Sequence, residues 1–199
     1  LPDLPVAGSG LWNSEYYQLH AKEIDKAYKL LADPESKAVF QNMINFKLSG
    51  KLSYLQKSVS DQAEVYKKIL KFSANEVYLD LGAYNGDTVA EFIKLIKGRY
   101  EKILAWEPDR KNFAKLLKRV ADDHYAKVEC LNLGAWREQA VLAFANAAGR
   151  NSRLTKTPGS PVQVNSVDKI VAGTLVTYLK MDVEGAEKNA LLGAAQTIS

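Results

Sequence analysis

Apolar positions in the first part of the chain recur at the spacing of helical faces. Tyr17, Ile24, Ala27, Tyr28 and Leu31 predict a helix over about 14 to 32, with Asn13 or Ser14 as its cap. Pro34 can open a second helix whose face carries Phe40, Met43, Ile44 and Leu48, and Gly50 is placed to stop it. A third is expected near 61 to 71, with Asp61 and Glu64 at capping-box spacing and Tyr66, Ile69 and Leu70 inward.

From residue 76 the rhythm changes. EVYLDL reads as a short buried strand, followed by a helical face of Val89, Phe92, Ile93 and Ile96. KILAWE follows, then a helix through Phe113, Leu116, Leu117 and Val120, then KVECLNL. This βαβαβ order predicts a parallel sheet with right-handed crossovers and ligand chemistry at the C-terminal ends of the strands. Between 139 and 167, AVLAF, SRLTK and VQVNSV read as short strands of an antiparallel insertion around the turn-rich AAGRNS and KTPGSP. LVTYLKM is a fourth core strand, running into a helix that begins within DVEGAEKNALLGAA. The expected organisation is a helical N-terminal extension over 1–72 and an α/β, doubly wound, Rossmann-like, mostly parallel core over 73–199. Four core strands are fewer than such a sheet usually holds, so its edge strands are expected beyond residue 199.

Composition adds exclusions. Hydrophobic residues at 47% and charged residues at 25% are those of a folded globular chain rather than a disordered, collagen-like or disulfide-rich one. The net charge of +4 is scattered, which favours a solvated surface over a nucleic-acid or membrane-binding patch. The lone Cys130 forms no intrachain disulfide, and no stretch approaches the roughly 20 apolar residues of a membrane span. A reducing, cytoplasmic setting fits best. The chain opens at Leu1 with LPDLPVAGSG, which lacks the charged and apolar regions of a signal peptide and reads as a trimmed or tagged start.

The densest chemical signal is VYLDLGAYNGDT. An apolar strand ends in Asp80, Gly82, Ala83, Tyr84, Asn85 and Gly86, and a helix starts through Asp87 and Thr88. Glycines permit a sharp turn and close approach to a ligand, while the helix start offers free N–H groups. A dinucleotide loop would read G-x-G-x-x-G and a phosphate loop would end in G-K-[ST]; neither is present. Asp80 and Asp87 flank the turn and would repel phosphate, but they suit the cationic amino and sulfonium groups of S-adenosylmethionine (SAM). Glu107 ends the next strand, where a carboxylate can accept both ribose hydroxyls of a nucleoside. Pro108 follows it, and Asn112, one helical turn on, is near enough to reach the same ribose. Gly134 and Ala135 lie past the third strand, at the expected adenine edge, with Trp136 as a base-stacking lid or as ordinary packing.

The fourth strand ends in TYLKMDVEGAE. Asp182 and Glu184 are expected at its tip facing the methyl-transfer position, with Asp182 also near the cofactor and Glu187 on roughly the same helical face as Glu184. So many carboxylates in a cleft imply solvation, a cationic partner such as Lys180, acid–base work or a metal. A divalent ion on Asp182, Glu184 and a third oxygen ligand is the less favoured of these.

DLGAYNGDT, AWEPDRKN and LKMDVEGAE, in this order, resemble the FkbM family of class I SAM-dependent methyltransferases, and VNSVDKI resembles that family's segment before the fourth strand. The likeness runs over about residues 61 to 199, and K-x-D-V-E-G-A-E is its most specific part. It implies a seven-stranded Rossmann-like sheet, SAM as cofactor, and O-methylation of sugars or polyketide-like small molecules. Transfer to oxygen needs a base, for which Asp182 or Glu184 is the candidate. His20 and His124 are badly placed for that task. The rival readings are a nucleic-acid methyltransferase, against which the fourth strand lacks an Asn/Asp-Pro-Pro-aromatic run, and a non-catalytic scaffold. The N-terminal helices could pack as core, cover the cleft, select the acceptor or form a homodimer contact, and the sequence does not choose among these.

Overall fold

The computed structural model describes residues 10–61, 64–145, 153–155 and 160–199. The chain divides into two compact units, Leu1–Lys71 and Phe72–Ser199.

The first unit is helical. Asn13 caps α1 (Ser14–Leu19) by accepting from Tyr16 N at 2.8 Å, and α2 spans Ala21–Leu30. The single helix expected over 14 to 32 is therefore two. His20 leaves the helical basin at φ −104° and ψ 11°, with its ring packed on Tyr16 at a centroid distance of 4.4 Å. Asp33 caps α3 (Pro34–Ser49) by accepting from Ser36 N, and Gly50 ends it at φ +69°, as the Pro–Gly punctuation predicted. A short α4 (Leu52–Gln56), not anticipated, follows.

The third expected helix differs most. Residues 62 and 63 lie outside the described set, and Val65–Leu70 is wound as a π-helix. Wider winding rotates side chains off the 3.6-residue face, so Ile69 and Leu70 are exposed rather than inward. Glu64 pairs with Lys68. No described residue before Glu76 is buried.

The second unit carries the sheet. β1 (Val77–Leu81), α5 (Asp87–Leu95), β2 (Lys102–Trp106), α6 (Arg110–Asp122) and β3 (Val128–Leu131) alternate as the periodicity predicted. Four further strands follow: β4 (Gly134–Ala135), β5 (Ala140–Ala145), β6 (Arg153–Thr155) and β7 (Ser160–Asn165). Then come α7 (Val167–Ile170), β8 (Tyr178–Met181) and α8 (Glu187–Leu192). The main sheet is all parallel in the order β3-β2-β1-β8. Chain order runs outward from β1 on one side and returns on the other, so the sheet has its topological switch between β1 and β8. Ligands of such sheets bind in the crevice outside the strand ends at that point.

The expected insertion is a second sheet in the order β4-β7-β5-β6. It is antiparallel except where β4 runs parallel to β7. AAGRNS lies outside the described residues, as does most of KTPGSP.

Beyond their first residues, the central strands β1 and β2 are apolar on both faces except at Asp80, because helices cover both. Leu79, Leu81, Leu104 and Trp106 pack with Val167, Val171, Ala190 and Ala194 on one side; Tyr78, Ile103 and Ala105 pack with Val89, Phe92, Ile96 and Leu116 on the other. Leu117, expected inward, is exposed, since Leu116 and the half-buried Phe113 and Val120 already complete the inner face of α6. Among the described residues, no helix is long and apolar enough to cross a membrane.

Candidate functional site

The loop between β1 and α5 is fixed by its neighbours. Gly82 and Ala83 both donate backbone N–H to Trp106 O at 2.9 Å, drawing the loop over the end of β2. Gly82 has φ +86°, and a Cβ there would fall 2.0 Å from Asp182 O. The neighbouring strand tip thus by itself requires a residue without a side chain here. Gly86, at φ +80°, would place a Cβ 2.9 Å from Leu116 Cδ1. Between them, Ala83 is buried in the core, Tyr84 takes a left-handed φ of +51°, and Asn85 O accepts from Arg119 Nε at 2.9 Å. Asn85 Oδ1 accepts from Asp87 N, and Asp87 Oδ1 from Thr88 N.

Glu107 sits just past β2 and is 5% exposed. Its Oε2 accepts from Tyr84 N and its Oε1 from Asp109 N, both at 2.8 Å. Burial pushes its carboxyl up to about 7, against the lowering effect of those two N–H groups. Asn132, past β3, donates to Glu107 O at 2.8 Å and Pro108 O at 3.0 Å, which holds the turn that presents the carboxylate. Asp109 caps α6 by accepting from Lys111 N and from Asn112 N, leaving Asn112 half-buried in the first turn.

Asp80 is wholly buried. Thr88 Oγ1 donates to its Oδ2, and Lys180 Nζ lies 3.2 Å from its Oδ1, an ion-pair distance without hydrogen-bond geometry. Desolvation raises this carboxyl and Lys180 opposes the rise. Lys180, expected near Asp182 and Glu184, thus lies against Asp80.

Asp182 and Glu184 are exposed beyond β8, with Asp182 N bonded to Leu81 O. Glu184 has a left-handed φ of +49°, and α8 starts only at Glu187. The two glutamates therefore do not share a helical face, because a turn separates them. Glu187 Oε1 instead accepts from Gly185 N. Gly134 and Ala135 are buried in β4, and Trp136 packs on Val162 and Val164. Among the described residues, no three His, Cys, Asp or Glu side chains gather as metal ligands.

The structure brings Glu107 to the Tyr84 backbone and Gly82 to the Asp182 backbone, so three strand tips meet around one loop. The sequence profile described as the methyltransferase FkbM domain matches residues 80–199, a span holding both. The chain belongs to the FkbM methyltransferase family. The structure of methyltransferase FkbM from Methylobacillus flagellatus KT is similar, with 26% identity and a TM-score of 0.74 over 92% of this chain and 46% of that one. The chain thus spans about half the length of that FkbM protein. A SAM-dependent methyltransferase from Aquifex aeolicus matches at 18% identity over 47% of this chain and 52% of that one, with a TM-score of 0.29, too low to define a shared fold. No curated protein matches the chain.

Lys180, Asn132 and Arg119 as supports of the loop were missed. Lys180 was legible in principle, because LDLGA and LKMDV align when their strand tips are paired, setting Asp80 beside Lys180.

Proposed function

We propose that this FkbM chain binds SAM at the β1–α5 loop and transfers its methyl group to a hydroxyl oxygen of a sugar or another small molecule, in a reducing, cytoplasmic setting. The observation that carries this reading is Glu107. Its buried carboxylate uses one lone pair of each oxygen on Tyr84 N and Asp109 N, which leaves acceptor capacity on both for the two hydroxyls of a ribose. That pair of acceptor oxygens fits a nucleoside without a 2′-phosphate, since a second anion beside Glu107 would be repelled.

When bound, SAM would supply an electrophilic methyl group for the acceptor oxygen, with S-adenosylhomocysteine as the leaving group. The chain's own part is to orient the nucleoside through Glu107 and to take the acceptor's proton. Asp182 and Glu184, exposed at the β8 tip beside Gly82, are the candidate bases.

Labelled SAM incubated with hydroxyl-bearing glycans and small molecules tests the reaction. The expected result is label on acceptor oxygen, with Asp182→Ala binding SAM normally and turning over about 100-fold or more slowly. An Asp182→Ala protein with full turnover removes that base. Calorimetry showing no SAM binding to the unaltered chain overturns the whole reading.

A further inference from the structure

We infer that Lys180 is the positioning residue of the cofactor loop, tying the buried Asp80 and the Gly82 carbonyl to strand β8. Lys180 stands directly opposite Asp80 in the parallel β1–β8 register. Its Nζ reaches two groups at once, Asp80 Oδ1 at 3.2 Å and Gly82 O at 3.1 Å. The second contact fixes the first carbonyl of the loop. The far end is fixed too, because Thr88, in the first turn of α5, donates to the other oxygen of Asp80. One buried carboxylate is therefore gripped from the loop's exit by Thr88 and from the neighbouring strand by a lysine that also holds the loop's entry.

Asp80 has no exposed surface, so its charge is answered from within the fold, by Lys180, rather than by a ligand. Its contribution to cofactor binding is then the shape of residues 82–88, and Lys180 supplies the charge that makes a buried carboxylate tolerable there. The short path from Gly82 to Asp182, which has no room for a Cβ, gives the clamp a rigid base on β8.

This inference rests on the reading that SAM binds at that loop, and the experiment separates the two. In the full chain, SAM affinity is measured by calorimetry, well below the melting temperature, for the unaltered protein, Lys180→Met, Lys180→Arg and Asp80→Asn/Lys180→Met. Hydrogen exchange of amides 82–88 is followed alongside. Lys180→Met is expected to weaken SAM binding at least tenfold and to speed exchange in 82–88 while exchange in β2 holds. Lys180→Arg should stay within about threefold of the unaltered protein, since it keeps the charge and the donors.

The double variant strands no charge but still lacks the tie to Gly82 O, so it should remain at least threefold weaker. If Lys180→Met does not fold, the double variant decides. SAM affinity within twofold of the unaltered protein in every variant lacking Lys180 overturns the inference. If the unaltered chain binds no SAM, the functional reading falls, and the exchange measurement alone decides the clamp: unchanged exchange in 82–88 overturns it.

Discussion

The two units of this chain are stabilised by different kinds of interaction. Leu1–Lys71 is held by local devices, such as the Asn13 and Asp33 caps, the Gly50 stop and the Lys29–Asp25 pair four residues apart. Longer ties run from Trp12 N to Lys47 O, from Lys47 Nζ to Gly10 O and between the Tyr28 and Phe40 rings, all without a buried side chain among its described residues. In Phe72–Ser199, wholly buried residues from distant segments meet, as Leu79, Trp106, Val167 and Ala190 do. Local devices are each worth about 1 kcal/mol or less, whereas a buried large side chain is worth roughly 1.5–3 kcal/mol. Substitutions in the second unit should therefore cost several times more than those in the first.

The largest effect is expected at Gly82. Gly82→Ala must place a Cβ where Asp182 O stands 2.0 Å away, on a backbone with φ +86°. Left-handed strain and forced displacement of a strand tip together predict roughly 3–5 kcal/mol of destabilisation, read as a lowered urea midpoint. A loss below 1 kcal/mol would show that the loop and β8 can part without cost and would weaken the contrast between the units.

Glu107→Ala comes next and bears on function. Two hydrogen bonds to a charged acceptor, each worth about 1.5 kcal/mol or more, predict a loss of about 100-fold or more in SAM affinity. Calorimetry reads it, and an unchanged affinity removes Glu107 from the site.

Acidity sharpens the same residue. The Glu107 carboxyl is raised from 4.5 to about 7 by burial, so the folded state holds a proton that the unfolded chain has released. Between those values the folded protein binds more protons, and stability falls as pH rises. The shift corresponds to roughly 3 kcal/mol, fully present below about pH 4.5 and lost by the time pH has passed 7. SAM affinity should move the other way, rising from pH 6 to 8, because the ionised carboxylate is the better acceptor of two hydroxyls. Urea unfolding and calorimetry across that range check both signs, and parallel trends would contradict the assignment.

The same contrast explains what was legible in the sequence. The strands, crossovers and glycine loop of the second unit follow from runs such as EVYLDL and KILAWE, which between their end residues are apolar on both faces except at Asp80, a pattern that points to burial. The bounds of α3 were equally plain, since Pro34 and Gly50 act within one turn of their own positions, although its Asp33 cap was not anticipated. What local spacing could not carry was any outcome set by a partner distant in sequence. Lys180 meeting Asp80, Asn132 holding the Glu107 turn, and β4 joining β7 in parallel all depend on which strand lies beside which. The break at His20 and the π-winding of Val65–Leu70 failed for a different reason. Apolar spacing marks a face but does not say how tightly the backbone winds to present it.

The smallest effect tests the first unit on its own terms. Asn13 accepts the Tyr16 amide at 2.8 Å and starts a helix of six residues, in a unit with no buried side chain among its described residues. So short a helix lacks the length to be stable by propensity. Its cap, the Trp12–Tyr16 and Tyr16–His20 ring contacts, and the hydrogen bond from Trp12 N to Lys47 O just ahead of it hold it in place. Asn13→Ala should then cost about 1 kcal/mol, confined to α1, with faster amide exchange over 14–19 and none in β1 or β2. A loss of 3 kcal/mol or more, or exchange spreading into the sheet, would mean that α1 is coupled to more than its own turn. The division between a helical unit without a buried core and a core-held sheet unit would then have to be redrawn.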